Sequence, residues 1–213
     1  MTRSARRRGL LVALEGVDGS GKSTLLRALA AALRRRGWSV GTVREPSDPR
    51  LGRLAQEASV RDAWTGAVYF TVDRHLAEPG VRRELARRQI VLTDRSFFST
   101  LAYQGSALSP ADRRRLERLQ LEATVAPDRV LLLDLPPAEA VRRLAGRSSN
   151  RSPLERRRTL ERVARAYRTL ARRWTGWTVL DARQDRAELL ADALRAVVGD
   201  RKPPARPRRP GQR

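Results

Sequence analysis

Chemistry is most concentrated at Gly16-Val17-Asp18-Gly19-Ser20-Gly21-Lys22-Ser23, which satisfies the G-x-x-x-x-G-K-[ST] pattern in full. Glycines at Gly16, Gly19 and Gly21 let successive backbone N–H groups turn inward around a polyphosphate. The following helix adds the positive end of its dipole, with Ser20 and Thr24 in or beside the turn. Lys22 is the mobile point charge that reaches the β- and γ-phosphates, and the Ser23 hydroxyl is a ligand for Mg²⁺. ATP or GTP binding with Mg²⁺ follows from pattern and context together. The loop does not say where the phosphoryl group goes. Water would make a hydrolase and a second substrate would make a kinase, and 213 residues leave little room for a mechanical domain.

These residues need a scaffold, and strand-like runs alternating with helical periodicities supply one. Leu10–Leu14 is continuously apolar, as expected of a strand covered on both faces. Leu25, Leu26, Leu29 and Leu33 then recur at helical spacing over Thr24–Arg36, before Gly37. Further strands are predicted at Trp38–Val43, Ile90–Thr93, Val130–Leu133 and Thr178–Leu180. Further helices are predicted at Arg82–Arg88, Ala111–Ala123, Glu155–Trp174 and Arg186–Val198. Such alternation predicts an α/β fold with a five-stranded parallel sheet, helices on both faces and the site at the carboxyl ends of the strands.

Charge and composition bound the rest. The formal net charge is +22, from 45 Lys and Arg against 23 Asp and Glu, and only Lys22 and Lys202 are lysines. Four arginines before residue 9 and six cations after residue 200 carry ten of those charges. So Arg-rich a usage, beside many alanines, reads as compositional bias more than as selection for a polyanion. Residues 1–8 and the Pro/Arg-rich 201–213 are expected to be disordered ends flanking one domain over 9–200. Neither end interleaves aromatics with its cations, which argues against nucleic acid as a specific partner. Zero Cys excludes disulfides and thiol chemistry. No apolar run could span a bilayer and no secretory signal is evident, so a soluble cytoplasmic protein is expected.

Four further segments make the chain resemble the thymidylate kinases, which phosphorylate dTMP to dTDP with MgATP on the way to dTTP. Arg44-Glu45-Pro46 stands at the end of the second predicted strand, and Asp94-Arg95 at the end of the third. Ser99-Thr100-Leu101-Ala102-Tyr103-Gln104-Gly105 follows at the family's spacing, and Pro127-Asp128 leads into the fourth strand. The likeness runs from about residue 10 to about residue 182.

The resemblance implies a P-loop fold with a short lid, ATP and dTMP as substrates, Mg²⁺, and commonly a homodimer. An interface would fall near Arg82 and Ala111–Ala123. Phe70 and Arg74, one helical turn apart, would stack on the base and contact the nucleotide. Arg95 would bridge the acceptor phosphate and the transferred group, while Asp94 would hold Mg²⁺ through water or fix Arg95 by an ion pair. Asp18 would accept from the sugar 3′-hydroxyl or cap the loop. Tyr103 would screen the 2′ position, with Thr100 and Gln104 beside it and Arg44, Glu45 and Pro46 completing the acceptor side.

Because Gly19 leaves the phosphate loop without an arginine, the catalytic arginine is expected in a lid at about 146–155, from Arg151 supported by Arg147. Arg143 would stack on adenine, and His75 has no chemical task. Ser47-Asp48, Ser96 and Asn150 replace residues usual in the family, which leaves open another nucleoside monophosphate, a deoxynucleoside, or a nucleotide-binding module with weak catalysis.

Overall fold

A computed structural model describes residues 9–145, 154 and 156–203. The lid residues Arg147 and Arg151 lie outside them. Five strands form one wholly parallel sheet in the order β2-β3-β1-β4-β5: β1 Leu10–Glu15, β2 Val40–Arg44, β3 Ile90–Asp94, β4 Arg129–Asp134 and β5 Trp177–Asp181. Helices α1 Lys22–Arg35, α2 Pro49–Arg61, α3 Ala63–Arg87, α4 Phe97–Tyr103, α5 Pro110–Ala123, α6 Pro137–Ala145, α7 Arg157–Arg173 and α8 Arg186–Val198 cover it. This is the P-loop α/β architecture expected from the sequence.

β1 is the central strand, paired with β3 on one side and β4 on the other. Its edges are thus both paired, and helices cover both of its faces, so Leu11, Val12, Ala13 and Leu14 are buried. From β1 the chain goes to the edge strand β2, returns to β3 between the two, and then crosses to the other side of β1 for β4 and β5. The phosphate loop leaves β1 at that switch point, where open parallel sheets form their binding crevice.

Most predicted elements agree closely with the observed ones, as at α8, or differ by a residue or two, but α6 was not predicted. β2 begins at Val40, not Trp38, because the Trp38 N–H still closes the turn after α1 on the Leu33 carbonyl (3.1 Å), and Ser39 is the junction that bonds across to Gln89 and Ile90. The larger difference lies between residues 45 and 104. The sequence predicts only Arg82–Arg88 as helix there, whereas α2, a 25-residue α3 and α4 occupy most of it. α3 runs through Pro79 and carries apolar side chains on more than one face, Ala67 buried but Val68, Val72 and Leu76 exposed, so no single stripe announces it. α4 is buried all round, and periodicity has nothing to contrast. No described helix is long and apolar enough to cross a membrane.

Candidate active site

The phosphate loop joins buried β1 to amphipathic α1, whose Leu25, Leu26, Leu29 and Leu33 face the core. Its conformation depends on glycine at two positions in particular. Gly16 has φ +142°, and a Cβ there would lie 2.6 Å from the Leu133 carbonyl. Gly21 has φ +98° immediately before α1 and opens into empty space, leaving the helix N-terminus uncovered.

Lys22 is buried and folds back to donate to the carbonyls of Gly16 (3.0 Å) and Val17 (2.9 Å). Burial and the nearby Arg95 charge lower its pKa to about 8, against the opposing pull of Asp18, Asp94 and Glu15. The buried Ser20 Oγ has no hydrogen-bond partner among the described residues. Ser23 Oγ donates to Asp94 Oδ2, so a hydroxyl and a carboxylate meet beside the loop. Two hard oxygens there fit Mg²⁺, and the uncommitted helix N-terminus fits a polyphosphate.

Arg95 sits at the carboxyl end of β3 with φ +80°, a backbone region that non-glycine residues rarely occupy. Its N–H donates to the Leu14 carbonyl (3.1 Å), and its own carbonyl accepts from Thr93 Oγ1 (2.6 Å). The guanidinium donates to Asp18 Oδ1 and to Ser99 Oγ (3.0 Å), and lies 5.3 Å from the Tyr103 ring centre. Of the alternatives open to Asp94, the ion pair with Arg95 is not formed, because Arg95 pairs with Asp18 and Asp94 takes Ser23.

Tyr103 OH donates to Asp18 Oδ2 (3.0 Å) and accepts from the Asp18 N–H (2.9 Å). Burial alone would raise the Asp18 pKa, but the charges of Arg95 and Lys22, with the bonds from Tyr103 and Arg95, hold it below the ordinary carboxylate value. Burial and the adjacent Asp18 charge push Tyr103 far above the usual phenol range, so it remains a neutral hydroxyl.

Beside this cluster opens a cavity of about 190 Å³. Asp18, Glu45, Pro46, Phe70, Arg74, Arg95, Thr100, Tyr103 and Gln104 all line it, so it gathers every predicted acceptor residue except one. Arg44 is exposed at the end of β2, in register with Asp94, and does not line the cavity.

Arg74 is buried, and its five N–H groups make four hydrogen bonds among the described residues. It donates from Nε to Glu45 Oε2 (2.7 Å), from Nη1 to Gln120 Oε1 (2.8 Å), and from Nη2 to Thr100 Oγ1 and the Ser96 carbonyl (3.3 Å each). Burial, despite that Arg74 charge, raises the Glu45 pKa to about 7. Phe70 lies half-buried one turn before Arg74 and lines the same wall. Ser47 and Asp48 are tied down by Asp73, whose carboxylate accepts from both N–H groups and from Ser47 Oγ at 2.7–3.0 Å.

Arg143, on α6, donates to Glu139 (3.1 Å) and to the Ala182 carbonyl (3.2 Å) after β5. It is one turn from Ala140, whose carbonyl abuts Gly19 of the phosphate loop. His75 is exposed, with its ring Nδ1 3.2 Å from the Ala123 carbonyl and 3.9 Å from Glu78.

Sequence reasoning missed Gln56 and Leu154, which line the cavity, and the wholly buried Gln120 and Glu15. Gln120 carried a signal, a polar residue between Leu116 and Leu121 on a helix face that must pack. Gln56 carried none, since α2 itself was not read.

Comparison with known proteins agrees with this geometry. The sequence model of one family, thymidylate kinase, matches residues 14–193. A thymidylate kinase of Xanthomonas oryzae pv. oryzae is 36% identical over 203 residues, 93% of this chain and 87% of that protein. One of Xanthomonas campestris pv. campestris is 33% identical over 194 residues, 89% of this chain and 83% of its own length. A probable thymidylate kinase of Metallosphaera sedula is 33% identical over 189 residues, 89% of this chain and 92% of that protein.

Proposed function

The chain belongs to the thymidylate kinase family, and from that premise we propose that it transfers the γ-phosphoryl group of ATP to dTMP, giving ADP and dTDP. The observation that carries this reading is the position of Arg95. Its guanidinium stands between the phosphate loop, through Asp18, and the acceptor cavity, through Ser99 and Tyr103. An oxygen of the acceptor phosphate attacks the γ-phosphorus while the bond to the β–γ bridging oxygen breaks, and the electron pair leaves with ADP. Such a loose transfer needs alignment and charge neutralisation more than covalent help.

Lys22 leaves its two carbonyls for the β- and γ-phosphates, and the backbone N–H groups of residues 16–23 hold the polyphosphate. Ser23 and Asp94 would hold Mg²⁺, which when bound neutralises phosphate charge. Phe70 stacks on the base and Arg74, prepositioned by Glu45 and Gln120, meets its polar edge or the phosphate. Asp18 and Tyr103 form the wall facing the sugar. Arg151 supplies the catalytic arginine and Arg143 packs on the adenine. The compartment is cytoplasmic. A homodimer belongs to the same reading, and Val68, Val72 and Leu76, exposed four residues apart on α3, are apolar surface that a second copy would cover.

ADP release measured with dTMP, dUMP, dCMP, dGMP and thymidine tests the assignment. The highest kcat/KM is expected with dTMP, and no dTMP-dependent turnover would remove the reading. A second acceptor class is favoured by one observation, the Ser47-Asp48 turn that Asp73 holds against α3 beside Glu45-Pro46. The same panel separates the two.

A further inference from the structure

Glu15, the last residue of β1, is wholly buried, and among the described residues no cation forms an ion pair with it. Four donors converge on its carboxylate. Ser96 reaches Oε1 through both its N–H and its Oγ (2.7 Å each), while Ser99 Oγ (2.6 Å) and Tyr167 OH (2.8 Å) reach Oε2. A buried carboxylate accepts only, so these groups give it their protons; Ser99 Oγ and Tyr167 OH also lie 3.0 Å apart around the same Oε2.

That polarity has a consequence for the cavity. Ser99 has one hydroxyl proton, and with that proton committed to Glu15 its lone pairs face outward, where Arg95 Nη1 donates at 3.0 Å. Ser96, pinned twice by Glu15, is the residue immediately after Arg95, whose φ of +80° persists only where its surroundings impose it. The Ser96 carbonyl also accepts from Arg74 Nη2 at 3.3 Å.

We propose that Glu15 is a positioning residue for phosphoryl transfer, its buried carboxylate orienting Ser99 as an acceptor for the Arg95 guanidinium and pinning the Arg95 backbone through Ser96. The proposal rests on the dTMP kinase reading, because it takes the acceptor phosphate as what Arg95 meets. Glu15→Gln keeps the shape but replaces one acceptor by an N–H₂ donor. A neighbouring hydroxyl must then turn its proton away from residue 15; at Ser99 that proton goes either to Tyr167 OH, 3.0 Å away, which costs Tyr167 its place in the cluster, or toward Arg95, donor against donor.

The test uses the full chain, comparing wild type, Glu15→Gln, Ser99→Ala and the double variant by steady-state turnover and by calorimetric binding of dTMP and of thymidine. Glu15→Gln is expected to lower kcat about 10- to 100-fold and weaken dTMP about tenfold, with KM for ATP and thymidine binding changed by less than about twofold. The loss then follows the phosphate that Arg95 holds, which a general loosening of the core would not reproduce. In the double variant the two losses should fall well short of multiplying, since both act through one hydroxyl.

If Glu15→Gln does not fold, Ser99→Ala decides alone, with the same selective loss of dTMP over thymidine. Independent, multiplying losses, or equal weakening of dTMP and thymidine, would overturn the positioning role. A wild type with no dTMP-dependent turnover would instead overturn the acceptor assignment, and the proposal with it.

Discussion

The two halves of the site are built by different means. The donor half is one contiguous loop between β1 and α1, made mostly of backbone, in which Lys22 rests on carbonyls 2.9–3.0 Å away. The acceptor half is made of side chains from the end of β2, from α3 and from α4, and its arginine is held by partners from four segments. A backbone cradle reads only charge and spacing, so it tolerates no departure from its pattern and shows none. A side-chain cavity can exchange partners, and the family departures among the described residues, Ser47, Asp48 and Ser96, stand on that side, next to lining residues although outside the lining itself.

Two substitutions should break the donor half and leave the acceptor half intact. Lys22→Met removes the charge that reaches the β- and γ-phosphates, and Arg151→Ala removes the arginine proposed for the transition state. Each is expected to lower kcat by about 10³-fold or more while dTMP affinity stays within about threefold. Steady-state kinetics with dTMP titration by calorimetry checks both. Near-normal turnover in Arg151→Ala would return the lid arginine to a solvated surface charge.

The complementary break is Phe70→Ala. Loss of a stacking ring is expected to raise KM for dTMP by about 10- to 100-fold, with kcat and KM for ATP little changed. If KM for both substrates rose together, the ring would be a support of α3 rather than a wall of the acceptor cavity.

The contrast also explains what could be read from the residues. Strands such as Leu10–Leu14 were legible because burial on both faces leaves an unbroken apolar run, and the phosphate loop because its chemistry is contiguous. α3 was legible only at its last turns, since its apolar residues divide between the core at Ala67 and the surface at Val68, Val72 and Leu76. The acceptor residues were placed by family resemblance, and nine of ten line one cavity. Arg44 does not, because it points from an edge strand into solvent while Glu45 turns inward to Arg74. Glu15 and Gln120 escaped because what marks them is complete burial with satisfied partners, which only tertiary packing reveals.

The pKa shifts of the two halves run in opposite directions, Lys22 down and Glu45 up, yet both contributions are lost as pH rises. Lys22, lowered to about 8, loses its charge as pH rises, so ATP affinity is expected to fall above pH 8, by up to about tenfold per unit. Competition of ATP for the site, followed from pH 7 to 9.5, measures this. Affinity that stays flat to pH 9.5 would mean that Lys22 keeps its proton.

Glu45 gives the smallest effect, and it is read on stability where Lys22 is read on affinity. Its folded pKa of about 7 lies above the ordinary 4.5, so the folded chain holds more protons than the unfolded one across that window. Its contribution is therefore greatest below pH 4.5 and is lost as pH rises through 7. Between pH 5.5 and 8 that shift is worth about 2 kcal/mol, which for a chain of this size lowers Tm by about 4–8 °C. Glu45→Gln cannot titrate, so its Tm should fall less than wild type over the same interval, other groups being common to both. The difference between the two melting curves isolates Glu45. Parallel curves would mean that Arg74, 2.7 Å away, keeps the carboxylate ionised throughout, and that the acceptor half does not titrate near neutrality.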